Sequence, residues 1–421
     1  MVDEKEISQQ MIQHIENQLL PFWRKSMDDH YGGVYTCYTN DGAKRISNDK
    51  FIWSQGRYLW IESRICKMMQ AGILKDDTQF FLDHAKKTYE FIKEHALLKN
   101  GNYVYLLTES GEKKEDVKGR GYDSSIYADC FVCLGYKEYA SLTGDRVILQ
   151  QAIDLFRHIS DGIMAGNFKS DPYPIPKGFS SHSVHMILLN VAQEIAETAE
   201  VLGHPDKSGL QVETLTLVKI ILEKFRLSNG RIIEMLAKET KKQKTLLSRH
   251  VNPGHALESM WFIIHSARKV NDTNSINKAV DSILYALELG WDTEHDGLFR
   301  FVDYLGGKPI GDEIGTLYEK LIKDTWDTKL WWPHSEALYA SILGYKMTGD
   351  PNMEKWFHRL RKYVFRAFPN NEQSIGEWIQ IRDRKGQPIN KVVALPVKDP
   401  FHILRNLILI IELLGEKKNC F

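Results

Sequence analysis

Glycine-centred turns recur along this chain at nearly even spacing, which limits the folds open to it. They stand at Gly33, Gly101, Gly166, Gly230, Gly297 and Gly376, so the successive intervals are 68, 65, 64, 67 and 79 residues. Most of these turns lie beside short β-like stretches, for example at residues 31–38 and 296–302. A steady period of this kind predicts an array of equal structural units.

Two amphipathic helical stretches fill each interval. Between Gly33 and Gly101 they cover about residues 53–71 and 78–96, and between Gly230 and Gly297 they cover about 253–270 and 273–289. Six such pairs make about twelve helices, which predicts an all-α fold, an (α/α)6 barrel with short β-hairpins in its loops. An open solenoid would show a similar period, but closure is favoured because the terminal units are as apolar as the middle ones. We therefore expect residues 1–421 to form a single catalytic domain.

Charge and composition exclude several classes of protein. Lys plus Arg and Asp plus Glu number 55 each, so the net charge is zero and there is no basic excess to bind nucleic acid. The N-terminus is charged and lacks the apolar core of a signal peptide. The longest apolar run, residues 407–414, is interrupted by Glu412 and is too short to span a bilayer. Together with an odd, low number of cysteines, these features predict a soluble cytoplasmic protein without a membrane partner.

The pair Cys130 and Cys133 has the spacing of a metal or redox motif. No second Cys or His pair accompanies it, and a zinc site needs four ligands. The surrounding stretch, residues 126–139, is typical of a helix with both thiols on its apolar side. We therefore predict buried structural cysteines and no metal site.

The segment Asn252-Pro-Gly-His-Ala-Leu-Glu-Ser-Met-Trp261 is the strongest local candidate for a functional site. A Pro-Gly turn that cannot itself be helical should place His255 just inside the start of a helix. Glu258 and Trp261 follow at steps of three, so we expect them on the same helical face. In this interpretation Glu258 fixes the imidazole tautomer and Trp261 forms an aromatic wall.

A second isolated histidine, His402, has the same setting, because a Pro-bearing loop runs into an apolar helix. Two such histidines far apart in sequence suggest a pair of acid/base groups that face one cavity. Taken singly, each could instead be a cap or a buried hydrogen-bonding residue. Arg57 opens the first inner helix and suits an oxygen-rich ligand, although a salt bridge to a nearby carboxylate is an equal alternative.

Two further segments are open to both structural and functional interpretations. Residues 326–336 are dense in aromatic side chains beside charge, a combination that suits sugar recognition but also occurs in packed cores. His185, ahead of a predicted helix at 186–199, is an equally balanced candidate. His182, one turn earlier, is expected to be a cap or a surface residue.

Four segments in order resemble the N-acylglucosamine 2-epimerase family over nearly the whole chain, from about residue 21 to 414. They are Asp49-Lys-Phe-Ile-Trp-Ser-Gln-Gly-Arg57, Asn252-Pro-Gly-His-Ala-Leu-Glu258, Lys329-Leu-Trp-Trp-Pro-His-Ser-Glu336 and Phe401-His-Ile-Leu-Arg405. The resemblance implies an (α/α)6 barrel, often a dimer, with His255 and His402 as the catalytic acid/base pair. It also implies substrate-contacting or supporting roles for the following residues: Trp53, Arg57, Glu258, Trp261, Trp332 and Glu336. His185, a further candidate for such a role, matches a histidine of the cellobiose epimerase and isomerase branches, where the acylglucosamine branch can have another residue. The wider superfamily includes cellobiose 2-epimerases, mannose isomerases and sulfoquinovose isomerases.

The chemistry implied is removal of the C2 proton of a ring-opened aldose, with Arg57 next to the negative charge that develops on O1. The first hypothesis is interconversion of N-acetylglucosamine and N-acetylmannosamine, and the second is an aldose–ketose isomerase or an epimerase of an unmodified sugar. A glycoside hydrolase or lyase would need two carboxylates, for which Glu258 and Glu336 are candidates. A non-catalytic sugar-binding protein would not require opposed bases.

Two departures from the family pattern concern the substrate more than the chemistry. The last motif begins Asp399-Pro, and the stretch at residues 309–324 is longer than usual and should lie at the mouth of the barrel. We see neither a Rossmann fingerprint nor a Walker A sequence, so we expect no required cofactor and no metal. Some relatives respond to ATP as an effector, which no motif here predicts. The expected partners are a small sugar and a second copy of the chain.

Overall fold

A ring of helices encloses a central axis in the computed structural model, which describes residues 3–392 and 396–415. Within those residues, each inner helix packs on the next and the last packs back on the first, so the ring is closed. The inner helices are Ile52–Gln70, Ile126–Thr143, His182–Val201, Pro253–Lys269, Trp331–Thr348 and Phe401–Gly415. The outer helices that cover them are Thr78–His95, Arg146–Met164, Lys207–Ile220, Thr273–Gly290, Pro351–Ala367 and Glu4–His14. The predicted (α/α)6 barrel is confirmed. The two helices predicted between Gly33 and Gly101 and the two predicted between Gly230 and Gly297 begin and end within one residue of their expected limits.

Sequence patterning explains which helices lie inside. The outer helix Arg146–Met164 buries one stripe, from Ile148 to Ile159, and exposes the rest. The inner helix Ile126–Thr143 is instead buried on all sides from residue 128 to 140. Its Cys130 and Cys133 are free thiols whose pKa values burial raises, as predicted for structural cysteines.

Glycine turns join the helix pairs, and all six predicted turn glycines adopt φ between 69° and 92°. This left-handed conformation favours glycine, because other residues meet a steric penalty there. The period seen in the sequence therefore corresponds to a recurring backbone turn.

Short antiparallel strands precede four of the inner helices. One pair forms a local hairpin, Leu106–Leu107 with Lys113–Lys114, whereas the other strand pairs join loops that are one helix pair apart. Those pairs are Lys50–Phe51 with Leu106–Leu107, Phe179–Ser181 with Met235–Ala237, His250–Val251 with Val302–Asp303, and Lys329–Leu330 with Ile381–Arg382. The sheets therefore connect successive units at the end of the barrel where the inner helices begin.

Two of these strands are anchored by buried lysines. Lys50 Nζ donates to Asp28 Oδ2 at 2.6 Å and to the Gly32 carbonyl at 2.8 Å. Lys329 Nζ donates in the same way to Asp292 Oδ2, at 3.0 Å. These contacts fix the starting points of the first and fifth inner helices.

Shorter helices occupy the loops, among them Leu246–Arg249 and Leu317–Thr325. None of the helices in the described part of the chain combines the length and apolar character needed to cross a membrane.

Candidate active site

A cavity of about 230 Å³ opens where the inner helices begin. Each of these helices contributes to its wall from its first turns: Arg57, Tyr127, Ser183, His255, Trp332 and His402. The prediction that His255 and His402 face one cavity is therefore confirmed. Because helix N-termini carry partial positive charge, this arrangement favours negative charge inside the cavity.

Local sequence places His255 as predicted, with one difference in detail. Asn252 caps the helix through its side chain, which accepts a hydrogen bond from the His255 backbone N–H at 3.3 Å. Pro253 and Gly254 are not a turn ahead of the helix but its first two residues. Proline is tolerated there because the first helical N–H groups have no partner within the helix.

The partner of the His255 imidazole is Glu234. Nδ1 of His255 lies 2.9 Å from Glu234 Oε1, and Glu234 is buried. Burial lowers the pKa of His255, but the Glu234 carboxylate offsets this effect, so the pKa lies above its ordinary value. This contact leaves Nε2 as the nitrogen available to a bound molecule. The prediction that Glu258 fixes this tautomer is wrong.

His402 is held by contacts on both ring nitrogens. Nδ1 lies 2.6 Å from Glu336 Oε1, and Nε2 lies 3.2 Å from Arg57 Nη2. A guanidinium can only donate, so Nε2 must carry a lone pair and Nδ1–H must donate to Glu336. This geometry selects the neutral imidazole with its basic nitrogen on the side of Arg57.

Trp332 is a neighbour of both histidines. Its ring centroid is 5.3 Å from that of His255 and 5.6 Å from that of His402. Gly254 makes this position possible, because a Cβ at residue 254 would overlap the indole ring. The two imidazoles therefore share one aromatic neighbour in the cavity wall.

Arg57 lies in the cavity wall and also forms the salt bridge that its alternative interpretation predicted. Its guanidinium lines the cavity beside His402 and also forms an ion pair with Asp399, with Nη1 3.4 Å from Oδ1. It lies 4.0 Å above the ring of Phe131, an aromatic contact that restricts its rotation. Trp53, also in the cavity wall as predicted, packs against the same ring.

A buried ion cluster forms the floor beneath His402. Arg405 Nη2 donates to Glu258 Oε1 at 2.5 Å and to Glu336 Oε1 at 2.8 Å. Burial would raise the pKa of Glu336, but Arg405 and the hydrogen bond from His402 lower it to about 2. Glu258 therefore supports the His402 side of the site, 3.8 Å from its Nδ1. Glu258, Glu336 and His402 could in principle bind a metal ion, but the guanidinium already places a cation against both carboxylates.

Trp261 is wrongly predicted as a cavity wall. Its Nε1–H donates to Glu336 Oε2 at 2.6 Å from below the floor. Each residue turns an α-helix by about 100°, so side chains six positions apart point in directions that differ by about 120°. Six residues also advance the helix by about 9 Å, so Trp261 lies that much deeper than His255. It braces Glu336 and does not border the cavity.

The two histidines of the third inner helix lie in surroundings that differ from those predicted. This helix begins at His182, not at residue 186. His185 is not among the described residues that line the cavity, and its Nδ1 lies 3.1 Å from the Ser181 carbonyl oxygen one turn back. His182 is fully buried, with Nδ1 3.5 Å from Glu234 Oε2. The predicted surface position of His182 is therefore wrong, whereas a site role for His185 stays a prediction, without support from the lining of this cavity.

The long stretch at residues 309–324 lies at the mouth of the cavity, as expected. It includes most of the helix Leu317–Thr325, whose Tyr318 and Leu321 line the cavity. Arg300, also in the lining, donates from Nη1 to Thr325 Oγ1 at 3.0 Å.

Sequence reasoning missed Glu234, Asp399 and Arg405 as site residues. Glu234 is a lone carboxylate in the apolar stretch that follows the turn at Gly230, and such an isolated charge could have identified it. Asp399 and Arg405 flank His402 at steps of three residues, a spacing that places side chains close together within a helix.

Comparison with known proteins gives a consistent result. The family model of N-acylglucosamine 2-epimerase (GlcNAc 2-epimerase) matches residues 33–405. The N-acylglucosamine 2-epimerase of Bos taurus is 28% identical, covering 95% of this chain and 89% of the relative, and that of Mus musculus is 27% identical, covering 99% and 94%. The structure of cellobiose 2-epimerase from Bacillus thermoamylovorans superposes with a TM-score of 0.74 at 18% identity, covering 97% of this chain and 99% of that one. This chain therefore belongs to the N-acylglucosamine 2-epimerase family of carbohydrate epimerases and isomerases.

Proposed function

We propose that this protein is a sugar 2-epimerase that inverts C2 of a ring-opened aldose with two histidines. The observation that carries the proposal is that His255 and His402, on different inner helices, line one cavity and both contact Trp332. Inversion requires proton removal from one face of C2 and proton delivery to the other. Two imidazoles from separate helices can serve the two faces of a sugar bound in that cavity.

The contacts of the two rings give them complementary starting states. His402 accepts from Arg57 at Nε2 and is therefore neutral, ready to act as a base. His255 is paired with the Glu234 carboxylate, which raises its pKa and favours the imidazolium, ready to act as an acid. Such a site needs no proton rearrangement before the first step.

In the forward reaction, the C2–H bond breaks as a new N–H bond forms on His402, and the electron pair moves into an enediolate, or its 2-acetamido equivalent, with charge on O1. The guanidinium of Arg57 stabilises this charge, together with the surrounding helix N-termini. His255 then donates its proton to the opposite face of C2. The reverse reaction uses the same groups with their roles exchanged.

N-acetylglucosamine and N-acetylmannosamine are the proposed substrate pair. The names of the mammalian relatives support this choice, as does the family of the whole chain. An aldose–ketose isomerase would use the same base but return the proton to C1. A glycosidase mechanism is disfavoured, because Arg405 binds both Glu258 and Glu336 and keeps the pKa of Glu336 low, so that residue cannot supply an acidic proton near neutrality.

The proposed reaction needs no metal or organic cofactor, because the proton acceptor, the proton donor and the oxyanion partner are all side chains of this chain. We further propose a cytoplasmic homodimer in carbohydrate metabolism. The support comes from the family, whose members are often dimers, and from free thiols at Cys37, Cys66, Cys130 and Cys133. Sedimentation analysis tests the dimer.

Heavy water provides the decisive test. The protein is incubated with N-acetylmannosamine, mannose, glucose, fructose and cellobiose in separate reactions, and early products are identified by NMR. We expect the epimer of N-acetylmannosamine with one deuterium at C2 and no deuterium in the recovered substrate, because the proton delivered comes from a second, solvent-exchanged base. A ketose product would indicate the isomerase, and early deuterium in the substrate would contradict the two-base assignment.

A further inference from the structure

Behind His255 lies a buried chain of polar groups that the proposed reaction does not use directly. Glu234 stands between two imidazoles, with Oε1 2.9 Å from His255 Nδ1 and Oε2 3.5 Å from His182 Nδ1. His182 Nε2 lies 3.0 Å from Ser259 Oγ. Ser259 is one helical turn after His255, so the chain of contacts returns to the helix on which it began.

Backbone pairing holds this arrangement in place. The His182 backbone N–H donates to the Glu234 carbonyl at 2.9 Å, where the strand Phe179–Ser181 pairs with Met235–Ala237. His182 and Glu234 are both almost fully buried. Water cannot readily replace either side chain as the partner of the other, so a change in one is transmitted to the other.

A proton must occupy the side of His182 that faces Glu234, because a lone pair directed at a carboxylate would be repelled. The Ser259 hydroxyl accommodates this in two ways. It can donate to His182 Nε2, which leaves the ring proton on Nδ1, facing Glu234. It can instead donate to the Ala256 carbonyl, 3.3 Å away, and accept a hydrogen bond from Nε2–H of an imidazolium. In either state His182 directs positive charge at the carboxylate and weakens its field at His255.

We propose that His182 is a positioning residue that acts through Glu234 to set the proton affinity and orientation of His255. The inference rests on the proposed function, in which His255 transfers a proton. Other charged or titratable groups near His255 are Glu258, from its own helix, Arg300, from the loop that follows the fourth outer helix, and His250, from the strand that leads into its helix. Substitution of His182 leaves these groups in place and acts on His255 through Glu234.

The test is an NMR titration of the His255 ring in the full-length protein without substrate, with the signal assigned by its absence in His255→Asn. His182→Phe removes the donor toward Glu234, so the carboxylate should hold the His255 proton more strongly. We expect the midpoint of the titration to rise by roughly half to one pH unit, the size of effect that a neighbouring polar or charged group produces. His255 must be protonated in the forward direction, so the alkaline limb of the pH–rate profile should move in the same direction.

Matched variants separate this role from simple packing. His185→Phe makes the same substitution three residues further along the same helix, and its ring also contacts Phe225, but it has no link to Glu234. We expect no shift of the His255 midpoint there. His182→Asn restores an N–H donor and should shift the midpoint less than His182→Phe. If His182→Phe does not fold, His182→Leu, smaller and equally without a donor, replaces it.

Several results would overturn the proposal. One is an unchanged titration midpoint of His255 in a folded His182 variant that lacks the donor. Another is an equal shift of that midpoint in His185→Phe. In the wild-type protein, ¹⁵N chemical shifts that show no proton on Nδ1 of His182 would do so without any substitution. Because the titration needs no substrate, it gives an answer even if the protein proves not to epimerise any sugar tested.

Discussion

Arg405→Met should reveal how strongly the floor of the active site depends on one buried cation. Arg405 Nη2 contacts both Glu258 and Glu336, and the three side chains are 1%, 8% and 0% exposed. Methionine fills similar space without charge, so the variant leaves two buried carboxylates without their shared partner. Breaking a buried ion pair in this way costs about 3–5 kcal/mol.

The size of the chain converts that cost into a melting temperature. An unfolding entropy of about 2.1 cal/mol/K per residue over 421 residues amounts to roughly 0.9 kcal/mol/K. A loss of about 3–5 kcal/mol should therefore lower Tm by about 3–6 °C. Thermal unfolding followed by far-UV circular dichroism measures this directly.

The loss of stability in Arg405→Met should also depend on pH. The pKa of Glu336 is about 2 in the folded protein against an ordinary value of 4.5. A carboxyl group with a depressed folded-state pKa stabilises the protein above its ordinary pKa, and this contribution disappears as the pH falls through the folded value. Arg405→Met removes the main cause of the depression, so the difference in stability between wild type and variant should be largest near neutrality and shrink as the pH approaches about 2.

Arg64→Met provides the control. Arg64 also bridges two carboxylates, at 3.2 Å to Glu138 and 3.3 Å to Glu412, but its side chain is 19% exposed and that of Glu412 is 33% exposed. Solvent screens such a pair, so we expect a loss of no more than about 1 kcal/mol. Equal losses in the two variants, or an Arg405→Met protein that melts within about 1 °C of wild type, would refute the reasoning. Adding Glu258→Gln to Arg405→Met should recover part of the loss, because one unpaired carboxylate is then removed.

Three further predictions concern the reaction. His255→Ala and His402→Ala should each lower turnover by ~10²–10⁴-fold with an unchanged circular dichroism spectrum, and a variant that keeps more than about a tenth of the rate would remove that histidine from proton transfer. Arg57→Lys keeps a charge but loses the planar fork, so kcat should fall more than KM changes; a normal kcat per folded molecule with a lower Tm would limit Arg57 to bracing through Asp399. Exhaustive chelation should leave the rate unchanged, since the proposed steps use side chains alone, and recovery with one divalent ion after a loss would contradict this.

Local signals in the sequence were sufficient to predict the barrel and the positions of the two histidines. The turn glycines need a backbone conformation that few other residues adopt, so they mark the units wherever those lie. Asn252 and Pro253 specify a helix start by capping and by a fixed φ, which places His255 without any knowledge of the tertiary structure.

Contacts between side chains from distant segments of the sequence could not be predicted in the same way. Glu234 lies 21 residues before His255, and it reaches His255 and His182 because its strand pairs with the one that leads into the third inner helix. His182 stands at a helix start, where capping is the ordinary expectation, and only that pairing turns its ring inward. Glu258 was predicted to serve His255 because the two share a helix, yet Arg405, 147 residues away, draws it to the other histidine.

The contact of Trp332 with both imidazoles has a consequence for how the site responds to turnover. In the proposed reaction His402 first gains a proton and His255 then loses one, so the positive charge passes from one neighbour of the indole to the other. Between these two steps both rings are protonated and the enediolate carries the opposite charge. Because an aromatic ring attracts nearby cations, Trp332 favours this intermediate over the states before and after it.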